Sequence, residues 1–197
     1  MDRHTDGYST PARLFHWGIA LILFLMIPAG VIMIQEGLSR PLQDTLFIFH
    51  KNTGLIVLIL VALRLAYRWR NPPPPLPVDM PGWQRVAARS SHRALYVLLF
   101  LMPIAGYVRV RAGGFPIEGL DAMGIGTLVP RSDALAETAM RVHYFGAFAI
   151  GALLLLHISA ATYHAVIRRD GVFWGMWPPF KRQDDTGEFA AADRQNS

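Results

Sequence analysis

The sequence predicts an all-α membrane protein: a four-transmembrane-helix bundle with both termini cytoplasmic. Three observations predict it. Apolar residues make up 52% of the 197 positions and charged residues only 17%. The apolar residues gather in four blocks, each near the 20 or so residues that cross a bilayer as a helix, instead of alternating with polar ones. Basic residues segregate between the connecting segments. If the two tails and the proline-rich loop share one side, the other side holds only Arg40, Lys51, Arg109, Arg111, Arg131 and Arg141 of the 19 Lys and Arg. The excess of positive charge places the termini in the cytoplasm.

The first span is expected over residues 14–34. Ser9 or Thr10 can cap it, and Pro11 fits a first helical turn. The leader carries two aspartates, the apolar run exceeds that of a signal peptide, and no A-x-A site follows, so the segment reads as retained. Pro28 and Gly30 are read as a kink. The second span, opened by Pro41, covers residues 46–63 and leaves through Arg64, Tyr67, Arg68, Trp69 and Arg70, an aromatic and basic interfacial belt. Pro72 to Pro75 and Pro77 make the next connector stiff and extended. Residues 83–93 form an amphipathic lead-in to a third span over 94–108, with Pro103 and Gly106 inside it. The loop 109–137 is glycine-rich, with a short helix expected near 132–137. The fourth span lies within 140–170, residues 173–177 follow at the interface, and 181–197 is a polar tail. The fold is thus one domain over 1–180 and a tail over 181–197. No internal repeat stands out, and no basic strip interleaved with aromatics points to nucleic acid.

The fourth span carries no formal charge from Val142 to Ile167, yet it holds His143, His157 and His164. Ionisable groups inside a span are costly and are generally functional. His143 and His157 are 14 residues apart, which is about 21 Å of rise on nearly the same helix face. Such a helix suits two metal centres stacked across a bilayer. Cysteine is absent, which excludes disulfides, iron–sulfur clusters, thiolate zinc sites and covalent c-type haem. Non-covalent haem fits what remains. The topology puts His16 at the depth of His157, and His50 at the depth of His143. Facing helices can then supply two imidazoles to each iron, giving His16/His157 and His50/His143. His164 lies one further heptad along the same face, so on depth alone it is an alternative to His157. Gly18, Gly54, Gly146, Gly151 and Ala147 are candidates for making room for a macrocycle. The plainer alternative for any one of these histidines is a hydrogen bond to a neighbouring helix. Met26, Met33, Met102 and Met140 are read as packing before ligation.

Several segments together resemble the bacterial cytochrome b561 family. These are Arg13-Leu14-Phe15-His16-Trp17, Phe49-His50-Lys51-Asn52-Thr53-Gly54, and Ala94-Leu95-Tyr96 leading into Met102-Pro103-Ile104-Ala105-Gly106-Tyr107. They continue with Ala112-Gly113-Gly114 and with His157-x6-His164-x5-Asp170-Gly171 before Met176-Trp177-Pro178. The resemblance spans all but the C-terminal tail. It implies a four-helix bundle in the bacterial inner membrane with two haem b groups, axial ligands His16, His50, His143 and His157, and electron exchange with quinone. It favours His157 over His164. Some members oxidise superoxide to O2 and reduce ubiquinone. Where the family often has adjacent histidines, this chain has Tyr163-His164.

Two functions compete. One is a superoxide:ubiquinone oxidoreductase, with Lys51, Arg109 and Arg141 steering the anion to the outer surface. The other is a non-catalytic relay subunit serving a dehydrogenase or hydrogenase partner, docked on the 109–137 loop. Interfacial anchoring is the plain alternative for those three cations, because Glu36, Asp44, Glu118, Asp121, Asp133 and Glu137 bring the net outer charge near zero. Arg89, His92, Arg93 and His164 are candidate quinone or propionate contacts near the cytoplasmic interface. A haemless scaffold is the remaining reading.

Overall fold

A computed structural model describes residues 7–179; His4 and the tail 181–197 lie outside the described residues. The chain forms helices α1 (Thr10–Ile32), α2 (Arg40–Arg70), α3 (Gly82–Ala112), α4 (Glu118–Ala122), α5 (Asp133–Tyr163) and α6 (Val172–Met176), with a π-helical turn at His164–Arg168. Four helices are long and apolar enough to cross a membrane, the last being α5 continued through the π turn. No strand occurs among the described residues.

Pro11 and Pro41 occupy the first turns of α1 and α2, where a missing N–H leaves no bond unmade. Pro72 ends α2, because the residue before a proline is driven out of the α region. Two expected boundaries move. The lead-in and third span are one helix, α3, of 31 residues, since nothing between Gly82 and Ala94 breaks the helical ladder. Residues 133–137 are the first turns of α5 and not a separate helix. Ser132 caps it, its hydroxyl accepting from the Leu135 amide at 3.3 Å. The short helix of the loop is α4 instead. At 1.5 Å per residue, 31 residues rise about 46 Å, well beyond a hydrocarbon layer of about 30 Å. The charged ends of α2 and α3 therefore project past the apolar layer without interrupting the helix.

α1 packs on α2, α2 on α3, and α3 on α5, whereas α5 does not pack closely on α1 or α2 among the described residues. The core is a narrow seam of Ile19, Met26, Val57, Val61, Leu95, Leu99 and Ile150. Outward, Leu21, Phe24, Phe145, Phe148 and Leu155 are exposed. No apolar span buries more than 22% of its residues within the chain, so most of the apolar surface faces lipid.

Each end of the bundle is tied by polar contacts. At the end holding the termini, α6 folds back on α1: the Trp17 indole donates to the Met176 carbonyl at 2.9 Å, and Arg13 donates to the Pro178 carbonyl at 3.0 Å. Residues 173–177, expected at the interface, thus dock on another helix. At the other end, Glu118 accepts from Lys51 Nζ at 2.7 Å and from the Asn52 amide at 2.9 Å, while Asn52 Oδ1 accepts from the Gly119 amide at 2.7 Å. Burial pushes the Glu118 carboxyl up, but the hydrogen bonds from Lys51, its own backbone amide and Asn52 outweigh this and hold it below its ordinary range. A depressed carboxylate stabilises the fold at neutral pH and loses that contribution as pH falls through the folded-state value. Glu118→Gln is expected to cost roughly 1 kcal/mol locally, tempered by solvent. The exchange protection factor of the Gly119 amide should fall, and lowering the pH should reproduce this in the unaltered chain but not in the variant.

Candidate haem-binding site

Four histidines come together in two pairs. The His16 and His157 ring centres lie 6.1 Å apart with planes at 70°, and those of His50 and His143 lie 6.1 Å apart at 75°. The first pair bridges α1 and α5, the second α2 and α5, where the helices stand apart. Two imidazole nitrogens each about 2 Å from one metal put their ring centres about 6 Å apart. The donor set points the same way. No group of three or more His, Cys, Asp or Glu able to hold a metal occurs among the described residues. Two imidazoles alone underfill a zinc or carboxylate-type site. They suit a metal whose equatorial positions are filled by a macrocycle.

The outer rings are anchored. His50 Nδ1 donates to the Met26 carbonyl at 3.1 Å, and His143 Nδ1 donates to the Met102 carbonyl at 3.0 Å. A carbonyl can only accept, so each Nδ1 keeps its proton and each Nε2 keeps a lone pair for a metal. Four residues after each carbonyl stands a glycine. A Cβ at Gly30 would come within 2.8 Å of His50 Cε1, and one at Gly106 within 3.4 Å of His143 Cε1. Gly30, read as part of a kink, and Gly106 thus clear space for the rings. Met26 and Met102 pack their side chains against the positions of Gly54 and Gly146, while their carbonyls accept from the rings. Gly18, Gly151 and Ala147, expected to make room, are exposed.

This cradle is repeated. In α1 and α3, His16, Met26 and Gly30 recur at the same spacing as His92, Met102 and Gly106. In α2 and α5, His50 and Arg64 recur as His143 and His157. The bundle therefore has an internal two-fold likeness that linear inspection did not reveal. Buried pairs obey it too: Ile19 with Leu95, and Val57 with Ile150. The signal was the matching histidine–methionine–glycine spacing.

The remaining candidates separate. His92 sits against His157, ring centres 5.4 Å apart. His164 turns away to Asp170, Nδ1 to Oδ2 at 2.6 Å, and Arg168 links Asp170 to Asp79. Arg89 and Arg93 are exposed and do not join them. Among the steering candidates, Lys51 is paired with Glu118, and Arg141 with Glu137 at 2.5 Å. Arg109 is half-buried with no carboxylate partner among the described residues.

Residues 7–179 match the family described as prokaryotic cytochrome b561. The chain belongs to the prokaryotic cytochrome b561 family. It is 30% identical to cytochrome b561 homolog 2 of Escherichia coli K12 over 84% of this chain and 88% of that one. It is 27% identical to cytochrome b561 homolog 1 of the same organism over 88% and 98%. It is accordingly a multi-pass membrane cytochrome b that works in electron transfer, and the family implies haem b. The paired imidazoles of this b561 protein, with an Nε2 lone pair kept on His50 and His143, fit that group.

Gly30→Ala tests the cradle. The methyl group must displace the His50 ring from the Met26 carbonyl, so one haem component should weaken or disappear from the spectrum. Gly18→Ala, whose methyl group meets nothing within 4 Å, should leave the spectrum unchanged.

Proposed function

We propose that this cytochrome binds two haem b groups, one held by His16 and His157 and one by His50 and His143, and passes electrons across the bundle to quinone. The observation that carries this reading is the pair of cross-helix histidine couples, each at 6.1 Å, on an α5 whose two ligands are about 21 Å apart along its axis. Haem would supply reversible one-electron chemistry; the chain supplies the ligands, fixes the tautomers of His50 and His143 and excludes water with an apolar seam. The basic residues beside the termini orient the protein with both ends in the cytoplasm of a bacterial inner membrane, and residues 1–180 act as one membrane domain.

The donor in this reading is superoxide. Two superoxide anions each give up one electron and leave as O2, and ubiquinone takes the two electrons with two protons to become ubiquinol. Arg109, which has no carboxylate partner among the described residues, is the steering charge of the three candidates; Lys51 and Arg141 contribute less because each is paired. His92, and the His164–Asp170 couple, supply polar groups toward quinone at the cytoplasmic end. A relay role for a partner protein is the second reading. It is favoured by the exposed apolar side chains of the outer loop, with Leu128 87% and Met123 67% exposed. Purified protein that reduces ubiquinone with superoxide needs no partner, which separates the two.

A pyridine haemochrome assay should return two haems per chain, released without breaking a covalent bond. His16→Ala and His157→Ala should remove the same spectral component, and His50→Ala and His143→Ala the other. Loss of one component by both His16→Ala and His143→Ala in folded protein would sink the pairing, and a match of His164→Ala with His16→Ala would move the inner ligand.

For the donor, Arg109→Gln should lower the superoxide rate several-fold at low salt and flatten its salt dependence. An unchanged rate and slope would remove steering from the mechanism.

A further inference from the structure

The two histidine pairs differ in what surrounds them. Both outer rings donate Nδ1–H to backbone carbonyls, of Met26 and Met102. The inner pair has no such anchor among the described residues: His16 Nδ1 is buried without a hydrogen-bond partner. The inner site has a cation instead. Arg64 follows His50 by 14 residues, as His157 follows His143 by 14, and both helices run in the same direction from the facing His50 and His143 rings. Arg64 therefore reaches the depth of His157, on the facing helix. It is half-buried, and its guanidinium carbon lies 5.6 Å from the Tyr96 ring centre. It forms no ion pair with the described residues.

These features act in one direction. A carbonyl that accepts from Nδ1–H makes the imidazole a stronger donor, which favours the oxidised metal and lowers the reduction potential. A fixed cation disfavours the extra positive charge of the oxidised metal and raises the potential. We infer that the chain builds a redox slope into its two sites, the His50/His143 site at the lower potential and the His16/His157 site at the higher, with Arg64 the residue that raises the second. The inference rests on the proposed reading that each pair holds one haem. With a haem held at each pair, that slope would favour one-electron transfer from the His50/His143 site to the His16/His157 site, with no bond or proton exchanged. Arg64 would act through its charge alone and not as a ligand.

Potentiometric titration of the purified protein, followed in the visible spectrum, tests it. Haem content is measured on every preparation. The component lost in His157→Ala should be the higher-potential one, and the component lost in His143→Ala the lower. Arg64→Leu should shift the higher component downward and leave the lower in place, Arg64→Gln should do the same, and Arg64→Lys should keep both near their original values. Two haems per chain with an unmoved higher component in Arg64→Leu and Arg64→Gln, or with the His157→Ala component at the lower potential, overturns the inference and leaves the two-haem reading intact. One haem per chain in the unaltered protein overturns both.

Discussion

An imidazole inside a bilayer is held firmly only where both ring nitrogens are accounted for, and the packing around the His50/His143 pair follows from that constraint. Water is unavailable there, and an unsatisfied polar group costs several kcal/mol. At the outer pair the accounting is closed on one side of each ring by a carbonyl from the adjacent helix, Met26 for His50 and Met102 for His143. The two rings approach across the bundle, centres 6.1 Å apart. Each ring needs a helix close behind it, which fixes α1 against α2 and α3 against α5, and another ring in front of it, which fixes α5 relative to α1 and α2. The helices pack where the rings are braced and stand apart where the rings face.

The fold was largely legible because its signals are long and one-dimensional. Four apolar runs, prolines at helix starts and the Pro72–Pro75 break all act locally. The depth pairing of His16 with His157 and His50 with His143 was legible for a related reason: rise per residue converts sequence spacing into depth. Side-chain direction and interhelical contacts were not legible. Gly30 and Gly106 carry no sign, within their own helices, that a ring from another helix rests on them. His164 shares depth and nearly the same face with His157, but the chain changes to π-helical pitch at that residue, and a carboxylate six residues on captures its ring. The local pattern cannot show that change of pitch. Lys51 and Arg141 looked like free cations because their carboxylate partners depend on how the outer loop folds and on one rotamer. The run from residue 132 to 137 differs in the other direction: it reads as a short loop helix, yet no breaker separates it from the span.

The internal likeness of α1–α2 to α3–α5 explains both what the two sites share and where they differ. The outer site lies where equivalent helices meet, so its ligands, carbonyls and glycines come in equivalent pairs. Lower in the bundle the likeness is broken. His157 on α5 corresponds to Arg64 on α2, and His16 on α1 corresponds to His92 on α3. A chain with full two-fold equivalence would carry two inner pairs. Here one ligand position holds a permanent cation, and His92, left without an equivalent partner, leans on His157 at 5.4 Å. The two sites therefore cannot be electrically alike, whatever occupies them.

The placement of proline follows the same logic. Pro28 stands in α1 and Pro103 in α3, the two helices that supply carbonyls; α2 and α5, which supply outer rings, contain no proline beyond the first turn. A proline removes one backbone bond and clashes with the carbonyl four residues earlier, opening the helix locally. Opening a turn lets nearby carbonyls tilt away from the helix axis, toward a donor on the neighbouring helix. Met26 is two residues before Pro28, and Met102 immediately precedes Pro103. In a lipid-exposed helix such a defect would be a liability. Here the Met26 and Met102 carbonyls beside those prolines accept from the imidazoles, and the glycine four residues on lets each ring come close.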